Sequence, residues 1–232
     1  MTRNIKYSLL FILLLSGLVG FSQEFTPIVK QFAKKDYSAS NQNWAVGQTS
    51  DGLMYFGNNQ GLLEFDGNIW TVHRLPQNKM VRSLMIAKNN RIYVGSFQEF
   101  GYFERDLYGY MQYKSLSKEL EKYNMKNDEI WNIIDYNGTI IFQSFTSYFM
   151  FDGKSTKGIR CPLTFLFFNI FDNKIYTHTS QTGFSLLKFG TDQAEALSKT
   201  EIKSPVISVL NYGTKQALLV TKSDGLFLFE GF

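Results

Sequence analysis

The chain has 232 residues and a formal charge of +4, with 19% of its residues charged and 16% aromatic. Its length suits one large all-β domain, its aromatic weight favours sheet packing over a solvated helical surface, and no run of five or more basic residues supports nucleic-acid contact. The one cysteine, Cys161, cannot make an internal disulfide, so the fold must rest on its core, with Cys161 as a buried small hydrophobe.

Met1 to Ser22 places Arg3 and Lys6 ahead of an apolar run from Tyr7 to Val19, followed by the small residues Gly20 and Ser22 before Gln23. That is the layout of a secretory signal peptide, and its core is shorter than the ~20 residues of a membrane-spanning helix. Export to the periplasm with a cut before Gln23 is the expectation. An uncleaved signal would instead anchor the chain in the inner membrane. The next segment, Phe25 to Phe32, reads either as a linker or as an extended strand that closes a ring of sheets, with Pro27 tolerated at an edge.

From Asn43 to Pro76, four short apolar runs are broken by Ser50-Asp51-Gly52, Asn58-Asn59-Gln60-Gly61 and Asp66-Gly67-Asn68. These turn residues, with the alternation in Leu53-Met54-Tyr55-Phe56 and Ile69-Trp70-Thr71-Val72, predict a four-stranded antiparallel meander. One meander cannot bury both of its faces, and copies follow. A second spans 81–114. A helix over 117–126 is expected next, because Leu116, Leu120 and Tyr123 recur at helical spacing behind Ser117 as N-cap. That insert is read as a connector over one face, with partner binding as the alternative. A third unit covers 130–160, and a fourth covers 163–197. The near-continuous apolar run Leu163 to Phe168 predicts a strand of the fourth unit buried on both faces, as the innermost or second strand of a blade is. The fifth unit covers 206–232 and ends after Glu230-Gly231, one strand short of the others.

Aligning the first turn of each unit puts Gly52, Asn90, Gly138, Asn173 and Thr214 in register, at steps of 38, 48, 35 and 41 residues. A repeat of roughly 40–45 residues with four strands is a propeller blade. The expected fold is therefore an all-β propeller of four-stranded antiparallel blades, with about five blades present as part of a longer propeller.

Catalytic motifs are missing from the sequence. His73 and His178 lie in different units without a partner at metal-ligand spacing, so neither a metal nor a cofactor is expected. There is no Gly-rich phosphate loop and no nucleophile elbow. Asp66, Asp152 and Glu230 recur before Gly at the same turn, which marks a turn requirement instead of a catalytic pair.

The unit TSDGLMYFGNNQGLLEFDG and its echoes resemble the two-component regulator propeller repeat. More closely, NQNWAVGQ, FGNNQGLLEFDG, RIYVGSFQEFGYF and EIWNII are similar to the N-terminal sensor region of exported triple-tyrosine regulators with a LuxR-type helix-turn-helix output. The resemblance covers residues 23–232. It implies a non-enzymatic periplasmic propeller that senses a ligand, followed in longer relatives by further blades, a triple-tyrosine domain, a membrane span and a DNA-binding or histidine-kinase output. None of those output parts is recognisable in this sequence. Implied partners are thus a glycan or other small ligand, and the remaining blades and output domains. A lectin-like or structural propeller, or a polysaccharide-active enzyme, are the alternatives.

Innermost strands line a propeller channel, and the loops between second and third strands gather on one face. Candidate ligand residues are therefore Trp44, Arg82 and Trp131 at equivalent innermost positions, with Gln98, Glu99 and Gln143 in or beside those loops. Trp44 and Trp131 would serve equally as packing between blades.

Overall fold

In the computed structural model, residues 27–120, 123–197, 202–213 and 215–230 are described. The expected signal peptide, Met1 to Ser22, lies outside them. The chain divides into two compact units, Met1–Phe32 and Ala33–Phe232. Residues 27–32 form no strand, and their Ile28 and Val29 are exposed; Phe25 and Thr26 fall outside the described residues.

The larger unit opens with a one-turn helix, α1 (Lys34–Tyr37), and continues as five antiparallel sheets in chain order. The first is β1 (Asn43–Gln48), β2 (Met54–Asn58), β3 (Gly61–Phe65) and β4 (Trp70–His73). The second is β5 (Ser83–Ile86), β6 (Ile92–Ser96), β7 (Glu99–Arg105) and β8 (Met111–Ser115). The third is β9 (Asn132–Tyr136), β10 (Thr139–Gln143), β11 (Ser147–Phe151) and β12 (Thr156–Arg160). The fourth is β13 (Asn169–Phe171), β14 (Lys174–Thr179), β15 (Gly183–Leu187) and β16 (Ala194–Ala196). The fifth has three strands among the described residues: β17 (Val206–Tyr212), β18 (Gln216–Thr221) and β19 (Leu226–Glu230). Each sheet is a meander whose strands pair in sequence order, as in the blade of a β-propeller.

Turn chemistry explains the meanders. Asn90 (φ 61°) and Asn173 (φ 54°) take the left-handed conformation at the turn where Gly52 and Gly138 stand in sheets one and three. At the later turn, Asp66 Oδ1 accepts the N–H groups of Asn68 and Ile69 at 2.8 and 2.6 Å, and Asp152 Oδ1 accepts those of Lys154 and Ser155 at 2.8 Å. These backbone donors hold both carboxyls below their ordinary range.

Four apolar clusters weld the five sheets, one at each junction. Between sheets two and three, the Phe100 ring packs tilted on Phe142 at 4.5 Å and stacks on Phe149 at 4.9 Å, all fully buried. Burying each such ring contributes about 1.5–3 kcal/mol. Between sheets four and five, Phe171, Tyr176, Phe184 and Phe229 interlock. First strands lie side by side, β1 against β5, β5 against β9 and β13 against β17, as the inner ring of a propeller requires. The two end faces differ. On sheet one, Trp70 packs on Phe56, Phe65 and Tyr37 of α1. On sheet five, Leu210, Leu226 and Leu228 are 50–61% exposed, so no described sheet covers that face.

A single position sets how close successive blades come. In the first four sheets the residue one before the end of the second strand, or at its end in sheet three, meets the entry of the next blade. Gly57 and Gly95 occupy it in the first two sheets, where an added Cβ would lie 2.9 Å from the Val81 carbonyl and 2.4 Å from Ile130. Sheets three and four place Gln143 and His178 there, and each bonds the backbone of the incoming segment: Gln143 at Leu166 and Phe168, His178 at Val206.

Two sequence expectations need correction. The helix over 117–126 is not formed: only a 3-10 turn, Ser117–Glu119, exists, and Leu120 already has ψ 66°. Residues 121–122 lie outside the described set. A ten-residue helix nucleates poorly, and here Leu116, Leu120, Tyr123 and Met125 all pack into the cluster between sheets two and three. Ser117 does not cap; its hydroxyl donates to Glu99 at 2.9 Å. Likewise, Leu163 to Phe168 is not a strand but the entry segment of sheet four, touching β14 through the bridge between Phe165 and Thr179. Its Leu166 N–H donates to the His178 carbonyl at 2.9 Å, while its carbonyl is taken by the side chains of Gln143 and Thr177 at 2.7 Å each.

Candidate functional site

Trp44, Arg82 and Trp131 stand at the head of the first strands of three successive sheets. Each directly precedes a residue, Ala45, Ser83 or Asn132, that pairs with Gly57, Gly95 or Gln143. The repeat thus brings residues far apart in sequence into one row. The Arg82 guanidinium carbon lies 3.7 Å from the Trp44 ring centre and 5.4 Å from that of Trp131, while the two indoles approach edge to face at 6.5 Å. Beyond Trp131 the row continues through Phe145, stacked at 5.8 Å, to Phe167 at 6.0 Å.

The row is held from behind. Trp44 Nε1 donates to Asn59 Oδ1 at 2.7 Å, which fixes the indole while leaving Trp44 38% exposed. Arg82 Nε donates to Glu129 Oε1 at 2.5 Å. Glu129 is itself seated by a backbone bridge to Phe97, whose ring is 43% exposed. Side chains of Arg82 and Glu129 are only 16% and 21% exposed, so their attraction is weakly screened. Cation–π contact with two indoles adds about 0.5–2 kcal/mol each. One feature is costly: Arg82 Nη1 is buried without an acceptor, and such an unmet donor costs about 1–3 kcal/mol.

The other three expected residues fall into two different settings. Gln98, in the left-handed conformation (φ 53°), donates from Nε2 to the Lys126 carbonyl and through its N–H to the Asp128 carbonyl at 2.8 Å. Glu99 is 5% exposed, and its Oε1 accepts from Tyr113, Ser115 and Ser117 hydroxyls at 2.9, 2.6 and 2.9 Å. Both line a cleft of about 520 Å³ with Lys118, Tyr123, Asn124 and Met125. Burial and the Glu99 charge push the Tyr113 phenol far above its ordinary value, so it remains a donor. Gln143 is 2% exposed and fully committed: Nε2 to the carbonyls of Leu166 and Phe165, Oε1 to the Phe168 N–H and Asn132 Nδ2. It joins sheet three to the entry of sheet four.

Phe97, Glu129, Phe145 and Phe167 complete the row and were not singled out from the sequence. Their signal was weak, because each stands in a connecting segment outside the aligned strands. Other clefts lie apart from the row: one of about 270 Å³ is lined by Asp51, Tyr55, Arg91, Glu104 and Arg105, and one of about 550 Å³ by Tyr123, Lys126 and Arg160. In the first of these Glu104 pairs with Arg91, and elsewhere Glu64 bonds His73 Nε2 and Arg105. Among the described residues no group of three or more His, Cys, Asp or Glu side chains could hold a metal ion. His178 is buried, which pushes its imidazole below the ordinary value and keeps it neutral. Burial also pushes the Cys161 thiol up to about 12, so it is no nucleophile at neutral pH.

No family model and no curated protein matches the sequence. Solved structures do match. The extracellular domain of the one-component or hybrid two-component system BT4673 of B. thetaiotaomicron aligns with a TM-score of 0.60 and 18% identity, over 89% of this chain and 28% of that one. PorZ, a surface component of the type-IX secretion system of Porphyromonas gingivalis, aligns with a TM-score of 0.65 and 14% identity, over 87% of this chain and 34% of that one. Virginiamycin B lyase from Staphylococcus aureus aligns with a TM-score of 0.57 and 13% identity, over 83% of this chain and 72% of that one. The chain therefore spans about a third or less of the regulatory and secretion proteins it matches. At these identities the likeness establishes the fold, and that fold is the β-propeller.

Proposed function

We propose that this chain is the ligand-sensing propeller region of an exported bacterial signal-transduction or transcription regulator, and that its ligand sits on the row of Trp44, Arg82 and Trp131. The observation that carries this reading is the Arg82 guanidinium wedged between two indoles, each from a different blade, at the head of the inner strands. A partly exposed indole with a fixed cation beside it offers a flat apolar face and a directed donor, which is what a sugar ring or comparable small ligand needs. Support from outside the chain comes from the extracellular domains of BT4673 and of the hybrid two-component system BT3049, which share the fold.

Sensing requires further parts, and the proposal assigns them to additional blades, a membrane span and an output domain in a longer protein. The likeness to virginiamycin B lyase shows that this fold also carries enzymes. Here, however, the carboxylate in the row is tied to Arg82, and the one in the neighbouring cleft to three hydroxyls. Neither is placed as a free acid or base.

A thermal-shift screen with an oligosaccharide library tests the reading. A hit that raises the melting temperature of the parent and fails to raise that of Trp44→Ala supports it. If no library member shifts the parent, or if hits shift Trp44→Ala, Arg82→Gln and Trp131→Ala as much as the parent, the row is not the site.

A further inference from the structure

Resting on that reading, we infer that the row recognises an acidic ligand: one that carries a carboxylate or comparable oxyanion beside a flat ring face, as a uronic acid does. Three observations point there. A guanidinium has five N–H donors, and Arg82 spends only Nε, on Glu129. Nη1 is buried with no acceptor, so the free site carries an unmet donor that an incoming anion can satisfy by drawing the guanidinium toward it. The guanidinium is also confined to the row before any ligand arrives, since the indoles of Trp44 and Trp131 and the Glu129 carboxylate flank it.

Glu129 does not cancel this preference. It faces Nε, on one side of the guanidinium, and is itself held through its backbone bridge to Phe97. An oxyanion at the Nη edge meets the fork that matches carboxylate geometry. The exposed ring of Trp44 supplies the apolar face against which the body of the ligand lies.

The experiment is a calorimetric and nitrogen-15 NMR titration of the full chain with glucuronate and galacturonate against glucose and galactose, following the Arg82 Nε–H and the Trp44 and Trp131 indole signals. The acids are expected to bind about tenfold tighter than their neutral counterparts, a preference that weakens as salt is raised. Arg82→Gln should abolish the preference, while Trp44→Ala should weaken acid and neutral sugars alike. Equal binding of acid and neutral sugars at the row, or an unchanged preference in Arg82→Gln, overturns the acidic specificity and leaves the row as a sugar site. Absence of any response at these three side chains up to about 50 mM sugar, well beyond the range of a functional site, overturns both this inference and the proposed function.

Discussion

The guanidinium of Arg82 lies flat against the indole of Trp44, 3.7 Å from its centre, although the two residues belong to different blades. Neither could be placed by its own sequence neighbourhood. They meet because each heads the first strand of its sheet, and the inner strands of successive sheets lie side by side.

This arrangement predicts different fates for Trp44 and Glu129. Trp44, half open to solvent, should be replaceable by Ala at a cost under about 1 kcal/mol, with binding lost and fold kept. Glu129→Ala, by contrast, strands the Arg82 charge among rings and should cost about 1–3 kcal/mol, since the pair is mostly buried. Denaturant unfolding of both variants checks this. Equal losses would mean that Trp44 serves packing.

Gln143 should behave as a structural residue. Gln143→Leu keeps the volume but leaves the Phe168 N–H without its acceptor and the Leu166 carbonyl with Thr177 alone, so a loss of about 1–3 kcal/mol is expected. Ligand affinity, measured where both proteins are folded, should change little.

Blade spacing is tested at Gly95. A Cβ there would sit 2.4 Å from Ile130 and 2.5 Å from Ser83 Oγ, so Gly95→Ala should destabilise by about 1–3 kcal/mol or more. Gly52 has φ +93° but open space around it, and Gly52→Ala should show only the backbone cost of about 1–2 kcal/mol. A thermal melt that ranks the two the other way would contradict the packing account.

Acid should weaken the fold in two stages. Burial lowers His178 below its ordinary 6.5, so the unfolded chain binds that proton first and stability falls as pH drops below about 6.5. Burial raises the Glu64 carboxyl, but hydrogen bonds and charge from His73 and Arg105 outweigh it and hold the group below its ordinary 4.5. Its contribution is thus complete above that value and is lost as pH falls below it. Melting temperature against pH should lose the upper stage in His178→Gln and part of the lower stage in Glu64→Gln.

The bare outer face of sheet five predicts self-association. Leu210, Leu226 and Leu228 present an aliphatic face of the kind that is buried at every junction between described sheets. Residues 23–232 should therefore sediment as oligomers, and Leu226→Lys with Leu228→Lys should shift them toward monomer. Deleting residues 25–32 should change the distribution little. A monomer at about 50 μM, above the range in which a stable interface dissociates, would show that this face tolerates water.

The repeat made much of this fold legible. Turn residues such as Gly52, Asn90 and Asn173 announced the meanders because few residues accept their backbone conformation. Register then placed Trp44, Arg82 and Trp131 at equivalent heads of strands, which is how the row could be named in advance. What the pattern could not convey was side-chain commitment. Gln143 and Glu99 look like free polar groups in a sequence, whereas backbone groups of a neighbouring segment consume one and three hydroxyls of the same blade consume the other. Residues 116–125 misled for a related reason: the helical spacing of Leu116, Leu120 and Tyr123 reflects contact with an apolar junction, which an irregular segment satisfies as well as a helix.

The three tryptophans allow the central claim to be tested directly. Trp44 and Trp131 belong to the row, whereas Trp70 packs on Phe65 and Tyr37 at the end face of sheet one and serves as an internal control. With fluorine-labelled tryptophan, a titration with any oligosaccharide that stabilises the protein should move the Trp44 and Trp131 resonances together and leave Trp70 in place. Movement of Trp70 alone, or saturating binding that leaves Trp44 and Trp131 unmoved, would contradict the assignment of the row as the sensing site.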